Sequence, residues 1–162
     1  MRPLLLCLSM LGFVAAQTPP KAAAHTMGGA KPVLLTPADV KWMQAPPDTG
    51  LPSVVQMTVL SGDPFKSGMF SVRLKIPAGG KFAAHWHPTD EHVTVIQGTF
   101  AAGMGDKLDP AALHDFPTGS YIVMPKQMHH FAVAKGETIV QVHAMGPFVL
   151  NYIDPADDPR KK

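Results

Sequence analysis

The stretch that decides the fold is residues 79–98, GGKFAAHWHPTDEHVTVIQG. It contains two runs of strand-forming residues separated by a bend at Pro88. Residues two apart in a strand point to the same face, so His85 and His87 project side by side. Glu91 opens the second run, which we expect to lie antiparallel beside the first, with the carboxylate within about 5 Å of the histidines. The stretch therefore predicts two imidazoles and a carboxylate gathered at one point, a donor set that suits a metal ion.

Similar short runs recur through most of the chain. Between residues 70 and 76 apolar side chains alternate with Ser71, Arg73 and Lys75, which is the period of a half-buried strand. Residues 105–117 interrupt the series as a longer polar connection. Short strands with glycine and proline turns between them predict an all-β fold, an antiparallel sandwich or barrel. The predicted strands are 54–60, 70–76, 81–87, 91–97, 99–104, 121–124, 129–133, 138–145 and 149–153.

The composition of the 162-residue chain excludes several classes of protein. Apolar residues make up 46% and charged residues 16%, which is typical of a folded core and not of a disordered chain. The 17 prolines and 14 glycines disfavour long helices. The formal net charge is +2 without a basic stripe, so we expect no nucleic-acid partner. Cys7 is the single cysteine, which excludes an internal disulfide framework and a cysteine-based zinc site.

The N-terminus has the pattern of a secretory signal peptide over residues 1–16. Arg2 precedes an apolar run too short to span a bilayer, and Val14-Ala15-Ala16 offers small residues to a signal peptidase. We expect cleavage after Ala16 and export to the periplasm or the exterior, as a soluble chain without a membrane span. The predicted divisions are the signal peptide at 1–16, a flexible leader at 17–32, the β-domain at 33–154 and a polar tail at 155–162.

Residues 79–98 resemble the first motif of the cupin superfamily. That motif joins a glycine, a His-x-His pair, a glutamate and a second glycine at set spacing. The chain matches it at every defined position, namely Gly79, His85, His87, Glu91 and Gly98.

Residues 119–134 resemble the second cupin motif. Its glycine, proline and histidine fall on Gly119, Pro125 and His130. The chain departs from the motif where Gln127 replaces a glycine and Ala134 replaces an asparagine. These departures concern the turn after Pro125 and leave the histidine in register.

The resemblance implies a small antiparallel β-barrel of the jelly-roll type, with one metal ion inside. The implied ligands are His85, His87, Glu91 and His130. Imidazole and carboxylate donors suit manganese, iron, zinc, nickel or copper, so the identity of the divalent transition metal stays open. The same ligand set occurs in cupin dioxygenases and related enzymes. Cupins commonly pair through sheet edges, so the resemblance also implies a homodimer.

Several residues near this set have open roles. His129 adjoins His130, and only one of two consecutive strand residues can face inward. The motif spacing selects His130, and the same parity places Met128 and Ala132 on the metal side. His92 faces away from Glu91 by this argument. Exposure or an ordinary hydrogen bond is the simpler expectation for His92, His114, His129 and His143.

Two further alternatives concern cationic side chains in the pocket and methionine as a metal ligand. Arg73 and Lys75 could point into the pocket and hold an anionic substrate, although we expect them to face solvent. Thioether sulfur is a soft ligand that could bind copper. The methionines are scattered over strands and turns, which favours core or pocket lining: Met57, Met69, Met104, Met124, Met128 and Met145.

Three functions fit these observations. The first is a metalloenzyme acting on a small organic substrate by oxygenase-like or Lewis-acid chemistry, with Glu91 as a catalytic group that leaves the metal and serves as base. The second is a non-catalytic cupin that binds a metal or a small ligand, which a pocket without an acid or base besides Glu91 would favour. The third is a structural barrel whose metal only stabilises the fold, without an accessible cavity.

Overall fold

The protein is described from a computed structural model over residues 32–161. The predicted signal peptide and residues 17–31 of the predicted leader lie outside the described residues, as does Lys162. No helix within the described range has the length and apolarity that a membrane crossing requires. The strands are β1 (Met43–Gln44), β2 (Gln56–Ser61), β3 (Gly68–Ile76), β4 (Lys81–Trp86), β5 (Glu91–Gln97), β6 (Thr99–Met104), β7 (His114–Pro117), β8 (Tyr121–Met124), β9 (His130–Ala134), β10 (Thr138–Gly146) and β11 (Asn151–Tyr152). Single 3-10 turns lie at Pro37–Asp39, Pro47–Thr49, Pro110–Ala112, Pro155–Asp157 and Pro159–Lys161.

The strands form two antiparallel sheets with one core between them. The larger sheet has the strand order β1-β2-β3-β10-β5-β8, and the smaller has the order β11-β4-β9-β6-β7. The prediction of an all-β, antiparallel jelly roll is therefore confirmed. Among residues 32–161 the two sheets stay separate and are not hydrogen-bonded into a closed barrel.

Strand β3 shows why the sheets stack. Its inward side chains are at most 7% exposed, while Arg73 and Lys75 lie on the outer face. Burying each large apolar side chain contributes about 1.5–3 kcal/mol, so the alternation decides which face of β3 packs inward. β10 pairs with β3 from Thr138 to Gly146 and brings its own inward valines to the same core. The inward residues of the two strands are Phe70, Val72, Leu74, Ile76, Val140 and Val142.

The predicted pairing of the strands on either side of Pro88 is wrong. β4 belongs to the smaller sheet and β5 to the larger one, so the bend carries the chain across the sandwich. The bend is bound to a different segment: the His87 carbonyl accepts from the N–H of Gln127 at 2.8 Å, and Asp90 Oδ1 accepts from the N–H of Lys126 at 2.7 Å. The His87 carbonyl is thus paired outside β5, and Pro88 has no N–H to donate to a hairpin ladder. Glu91 therefore faces the histidines from the opposite sheet.

The sequence also failed to indicate one edge strand and one short strand. Within the predicted connection of residues 105–117, His114–Pro117 forms β7 at the edge of the smaller sheet. Its sequence HDFP is short, polar and ends in proline, which only an edge position tolerates. The two-residue strand β1 was not predicted either. The other predicted strands are found with ends within two residues of the observed ones.

Candidate metal centre

Three buried histidines meet between the sheets. His85 in β4 is the direct register partner of His130 at the start of β9, and His87 follows β4 immediately. Each residue is 3–4% exposed. One ring nitrogen from each lies within 4.8 Å of the other two, so the cluster could hold a metal ion.

Glu91 approaches this cluster from the larger sheet, as the first residue of β5. Its Oε2 lies 3.7 Å from Nε2 of His87 and 3.5 Å from Nε2 of His130. Metal bonds to nitrogen and oxygen are about 2 Å long, which places two ligand atoms of one ion about 3–4 Å apart. The distances from Glu91 to His87 and His130 fit two ligands of one shared ion.

The hydrogen bonds of the three rings orient them alike. Nδ1 of His85 donates to the carbonyl of Ala83 at 2.7 Å, and Nδ1 of His130 donates to the carbonyl of Met128 at 2.9 Å. Nδ1 of His87 donates to the carbonyl of Val149, also at 2.9 Å. A carbonyl only accepts, so each ring carries its proton on Nδ1 and keeps a lone pair on Nε2. This is the tautomer that an Nε2 metal ligand needs.

Burial favours neutral rings at His85 and His87. It lowers the pKa of His85 from 6.5 to about 3, with His130 and His87 adding to the effect, and it also lowers the pKa of His87. Burial acts to raise the pKa of Glu91, but attraction to His87 and His130 in their protonated form outweighs it and lowers that pKa to about 2. When the rings are neutral, a divalent cation can supply the positive charge beside the carboxylate.

Two of the inward nitrogens have no hydrogen-bond partner among the described residues: Nε2 of His87 and Nε2 of His130. Leaving a buried polar atom unpaired costs about 1–3 kcal/mol, and buried polar groups are otherwise paired in folded proteins. A metal ion bound by both nitrogens and by Glu91 removes this cost. The residues present therefore fit a metal.

A small apolar cavity adjoins the donors. Its volume is about 40 Å³, which holds a few waters or a ligand of a few heavy atoms. Apart from the four donors every lining side chain is apolar, among them Leu74, Phe82, Phe100, Met124, Ala132 and Phe148. Ala132 lines the cavity as predicted. Met128 does not, because it lies in the turn before β9 and is 38% exposed.

The remaining candidate histidines lie outside the cavity. Nδ1 of His92 is 2.5 Å from the Tyr121 hydroxyl, and Nδ1 of His129 is 2.6 Å from Asp106 Oδ1. The ring of His143 has hydrogen-bond partners at both nitrogens, Ser71 at 2.7 Å and Gln141 at 2.9 Å. The selection of His130 over His129 as the inward residue is confirmed.

The cationic side chains and all but one of the methionines considered above also lie outside the cavity. Arg73 Nε donates to Gln141 at 2.9 Å, and Lys75 lies 4.5 Å from the centre of the Trp42 ring, both on the outer face of the larger sheet. Met124 is the single methionine among the residues that line the cavity. Met57 is also buried, whereas the other methionines in question are 38–72% exposed: Met69, Met104, Met128 and Met145. The methionines therefore do not converge on the histidines.

The sequence interpretation missed one wall of the site. Phe148 stacks on the His87 ring with centroids 4.1 Å apart, Leu150 lines the cavity, and Val149 supplies the carbonyl that orients His87. The backbone carbonyl of Val149 leaves no signal in a sequence. The aromatic residue between Pro147 and the predicted strand 149–153 was the only available indication.

Comparison with known families gives one match at the level of sequence. A model of the ChrR cupin-like domain matches residues 30–149, which contain all four donors. No curated protein matches the chain.

Solved structures resemble the fold at low sequence identity. The polyketide cyclase RemF of Streptomyces resistomycificus is 16% identical, with a TM-score of 0.62 over 79% of this chain and 89% of that one. KdgF of Halomonas sp. is 19% identical, with a TM-score of 0.54 over 71% and 94%. An RmlC-like cupin of Shewanella frigidimarina is 13% identical, with a TM-score of 0.54 over 72% and 94%. At such identities the similarity shows the cupin fold alone.

Proposed function

The chain belongs to the ChrR cupin-like domain family, and from this premise we propose that it binds one divalent transition metal and presents it to a small ligand. The ligands are Nε2 of His85, His87 and His130 and the carboxylate of Glu91. The observation that carries the proposal is the pair of buried Nε2 atoms, on His87 and His130, that lack a hydrogen-bond partner while facing the Glu91 carboxylate.

The chain and the metal divide the chemistry between them. When bound, the metal supplies a Lewis acid for an oxygen-bearing ligand, and a redox-active ion adds oxidation chemistry. Three imidazoles and one carboxylate leave one or two positions for that ligand. The chain holds the donors through the three carbonyl contacts, excludes bulk water with apolar walls, and can accept a proton at the Glu91 carboxylate.

The first candidate function is a metalloenzyme acting on a small organic substrate by oxygenase-like or Lewis-acid chemistry. The volume of the cavity, about 40 Å³, supports a substrate of few heavy atoms, or a larger one that enters with only its reactive end. Glu91 is the one group in the lining that can transfer a proton besides the histidines.

The second candidate is a non-catalytic cupin that holds a metal or a small ligand. The observation in its favour is the apolar lining, which offers no acid or base besides the donors themselves. A purely structural metal is less well supported, because a cavity adjoins the donors.

We further propose that the protein acts in the periplasm or outside the cell, as a homodimer. The support for export is the signal-peptide pattern of residues 1–16, and the support for a dimer is the cupin resemblance. A chain that folds in such a compartment takes the metal available there, and raw affinity then favours copper and zinc.

Metal content by elemental mass spectrometry tests the proposal. The protein is purified from the compartment to which it is exported, beside the His85→Ala/His87→Ala double variant. We expect about one equivalent of a transition metal in the wild type and little in the variant. Metal-free wild type, or equal content in both proteins, would overturn the proposal.

A matched pair of single variants identifies the third imidazole. His130→Ala should lose the metal, whereas His129→Ala, one residue away on the outer side, should retain it. The identity of the bound metal then distinguishes the two candidate functions. A redox-active ion with oxygen uptake on small organic acids or diols supports the enzyme, and zinc without turnover supports the binding protein.

A further inference from the structure

The C-terminal segment contacts the proposed ligand His87 on two sides. The Phe148 ring stacks on the imidazole with an angle of 21° between the planes. The Val149 carbonyl accepts the Nδ1–H of the same imidazole at 2.9 Å. Leu150 then lines the cavity and is 3% exposed. The orientation of His87 therefore depends on where residues 148–150 are held.

The backbone attachment of this segment is short. β11 pairs Asn151 with Trp86 and Tyr152 with His85 at the edge of β4. One further bond joins the N–H of Ile153 to the carbonyl of Ala84 at 3.0 Å. A backbone bond also lies at the other end of the segment, where the N–H of Phe148 donates to the carbonyl of Pro64 at 2.8 Å. Val149 and Leu150 lie between these two anchors.

Arg160 adds a side-chain attachment between these anchors. Its Nη2 donates to the carbonyl of Leu150 at 2.8 Å, directly after Val149 in the chain. The same guanidinium holds Asp158 through Nε at 2.8 Å and Nη2 at 2.9 Å. It lies against Gly50, where an added Cβ would be 3.1 Å from its Cζ, and the Gly50 carbonyl accepts from the Tyr152 hydroxyl at 2.8 Å. Residues 150–161, predicted as strand and polar tail, thus fold back on the cavity wall as a clasp.

The clasp lies beyond the family match, which ends at residue 149. Its first residue, Leu150, is nevertheless part of the cavity lining, and its Tyr152 ring lies 5.9 Å from the His85 ring. This chain therefore completes the wall of the cavity with residues outside the matched domain.

Resting on the metal site proposed above, we propose that Arg160 is a positioning residue for His87. By holding the Leu150 carbonyl, Arg160 keeps Val149 and Phe148 where they bind Nδ1 and the ring face, so that Nε2 points to the metal. Loss of the hydrogen-bond partner of a ligating histidine costs about 10–100-fold in metal affinity. Here that partner is a backbone carbonyl, and the arginine is the side chain that places it.

The first test is the rate at which the zinc-loaded full chain releases its metal to a chelator. Arg160→Ala should release zinc about tenfold faster than the wild type. An unchanged rate in Arg160→Ala would overturn the role of the arginine and leave the metal site standing. A wild-type protein that takes up no zinc, copper, iron, manganese or nickel would overturn both.

Arg73→Ala serves as the matched control. Arg73 also donates a side-chain hydrogen bond, to Gln141 at 2.9 Å, but on the outer face of the larger sheet. Its loss should leave the release rate at the wild-type value. Equal acceleration in both variants would reduce the effect to general loosening of the fold, which overturns the proposal.

A second readout does not require metal. Long-range proton–nitrogen correlation spectra of the metal-free protein report which nitrogen of His87 carries the proton. We expect the Nδ1–H tautomer in the wild type and a mixture of tautomers in Arg160→Ala. A pure Nδ1–H tautomer in the variant would show that Val149 holds its place without Arg160, and would overturn the proposal.

Discussion

Six histidines form two groups of three, and the groups differ in the hydrogen-bond partner of Nδ1. In the cavity group, His85, His87 and His130, Nδ1 donates to backbone carbonyls. In the surface group, His92, His129 and His143, Nδ1 meets the side chains of Tyr121, Asp106 and Ser71. A backbone carbonyl accepts only and is fixed by the fold, whereas the hydroxyls of Tyr121 and Ser71 can donate or accept, and the Asp106 carboxylate lies on a side chain that is 76% exposed.

The difference shows what makes a histidine a candidate ligand in this protein. Backbone acceptors hold Nδ1 of the three buried cavity rings, so that their Nε2 atoms point toward one another. The surface rings have hydrogen bonds of similar length but lie partly in solvent. A hydrogen bond to Nδ1 is therefore not sufficient to make a histidine a candidate metal ligand. The ring must also be buried beside a carboxylate.

The largest expected contrast comes from removing a pair from each group. His85→Ala/His87→Ala should weaken metal affinity by more than the roughly 100-fold that the loss of an outer partner can cost. His92→Ala/His143→Ala should leave the affinity unchanged, since neither ring reaches the cavity. Chelator-competition titration measures both. An equal loss in the surface pair would erase the distinction between the groups.

Stability should respond to metal only through the cavity group. A ligand that binds the folded state alone adds about 2.7 kcal/mol at a free concentration of 100 times its Kd. We expect urea unfolding with and without zinc to show a gain of this order for the wild type and for His129→Ala, and none for His130→Ala. A zinc-dependent gain that survives in His130→Ala would place the metal elsewhere.

A smaller effect is expected in the turn between β8 and β9. Gln127 has a φ of 63° where the cupin motif has a glycine, and its N–H donates to the carbonyl of His87. A side chain in this conformation costs about 1–2 kcal/mol, partly offset by the greater chain entropy of glycine, about 0.5–1 kcal/mol. Gln127→Gly should therefore raise the free energy of unfolding by about 0.5–1 kcal/mol, measured in urea without metal. Gln127→Ala keeps the Cβ and should give no gain, so an equal gain there would argue against backbone strain.

The smallest effect is expected from the surface group alone. His129 and Asp106 form an exposed pair, with side chains 39% and 76% exposed. Such pairs contribute little, and His129→Ala should change the unfolding free energy by no more than about 0.5 kcal/mol. Thermal or urea unfolding of the metal-free protein decides this. A loss of about 2 kcal/mol or more would give His129 a role that its exposure does not suggest.

The sequence predicted the strands better than their partners. Alternation in β3 and the glycine and proline turns located most strands, because side-chain period and turn chemistry are local properties. The pairing of β4 with β5 was predicted wrongly, because a proline bend looks the same whether the chain turns back or crosses to the other sheet. β7 was missed because its four residues, HDFP, carry no alternation.

For the candidate site, the side chains were predictable and the backbone was not. The motif spacing selected His85, His87, Glu91 and His130, and the structure brings all four together. The carbonyls that orient the rings belong to Ala83, Met128 and Val149, and any residue type offers the same carbonyl.

Residue types and their spacing in the chain were enough to predict the candidate donors, the parity that turns His130 inward and the all-β class. The packing of the folded chain was needed to show that Glu91 faces the histidines from the other sheet, and that residues 148–161 fold back against His87. The contact between His87 and Val149 joins residues 62 apart in the chain, and that between Tyr152 and Gly50 joins residues 102 apart. They depend on how two sheets and a chain terminus pack, which no local pattern encodes.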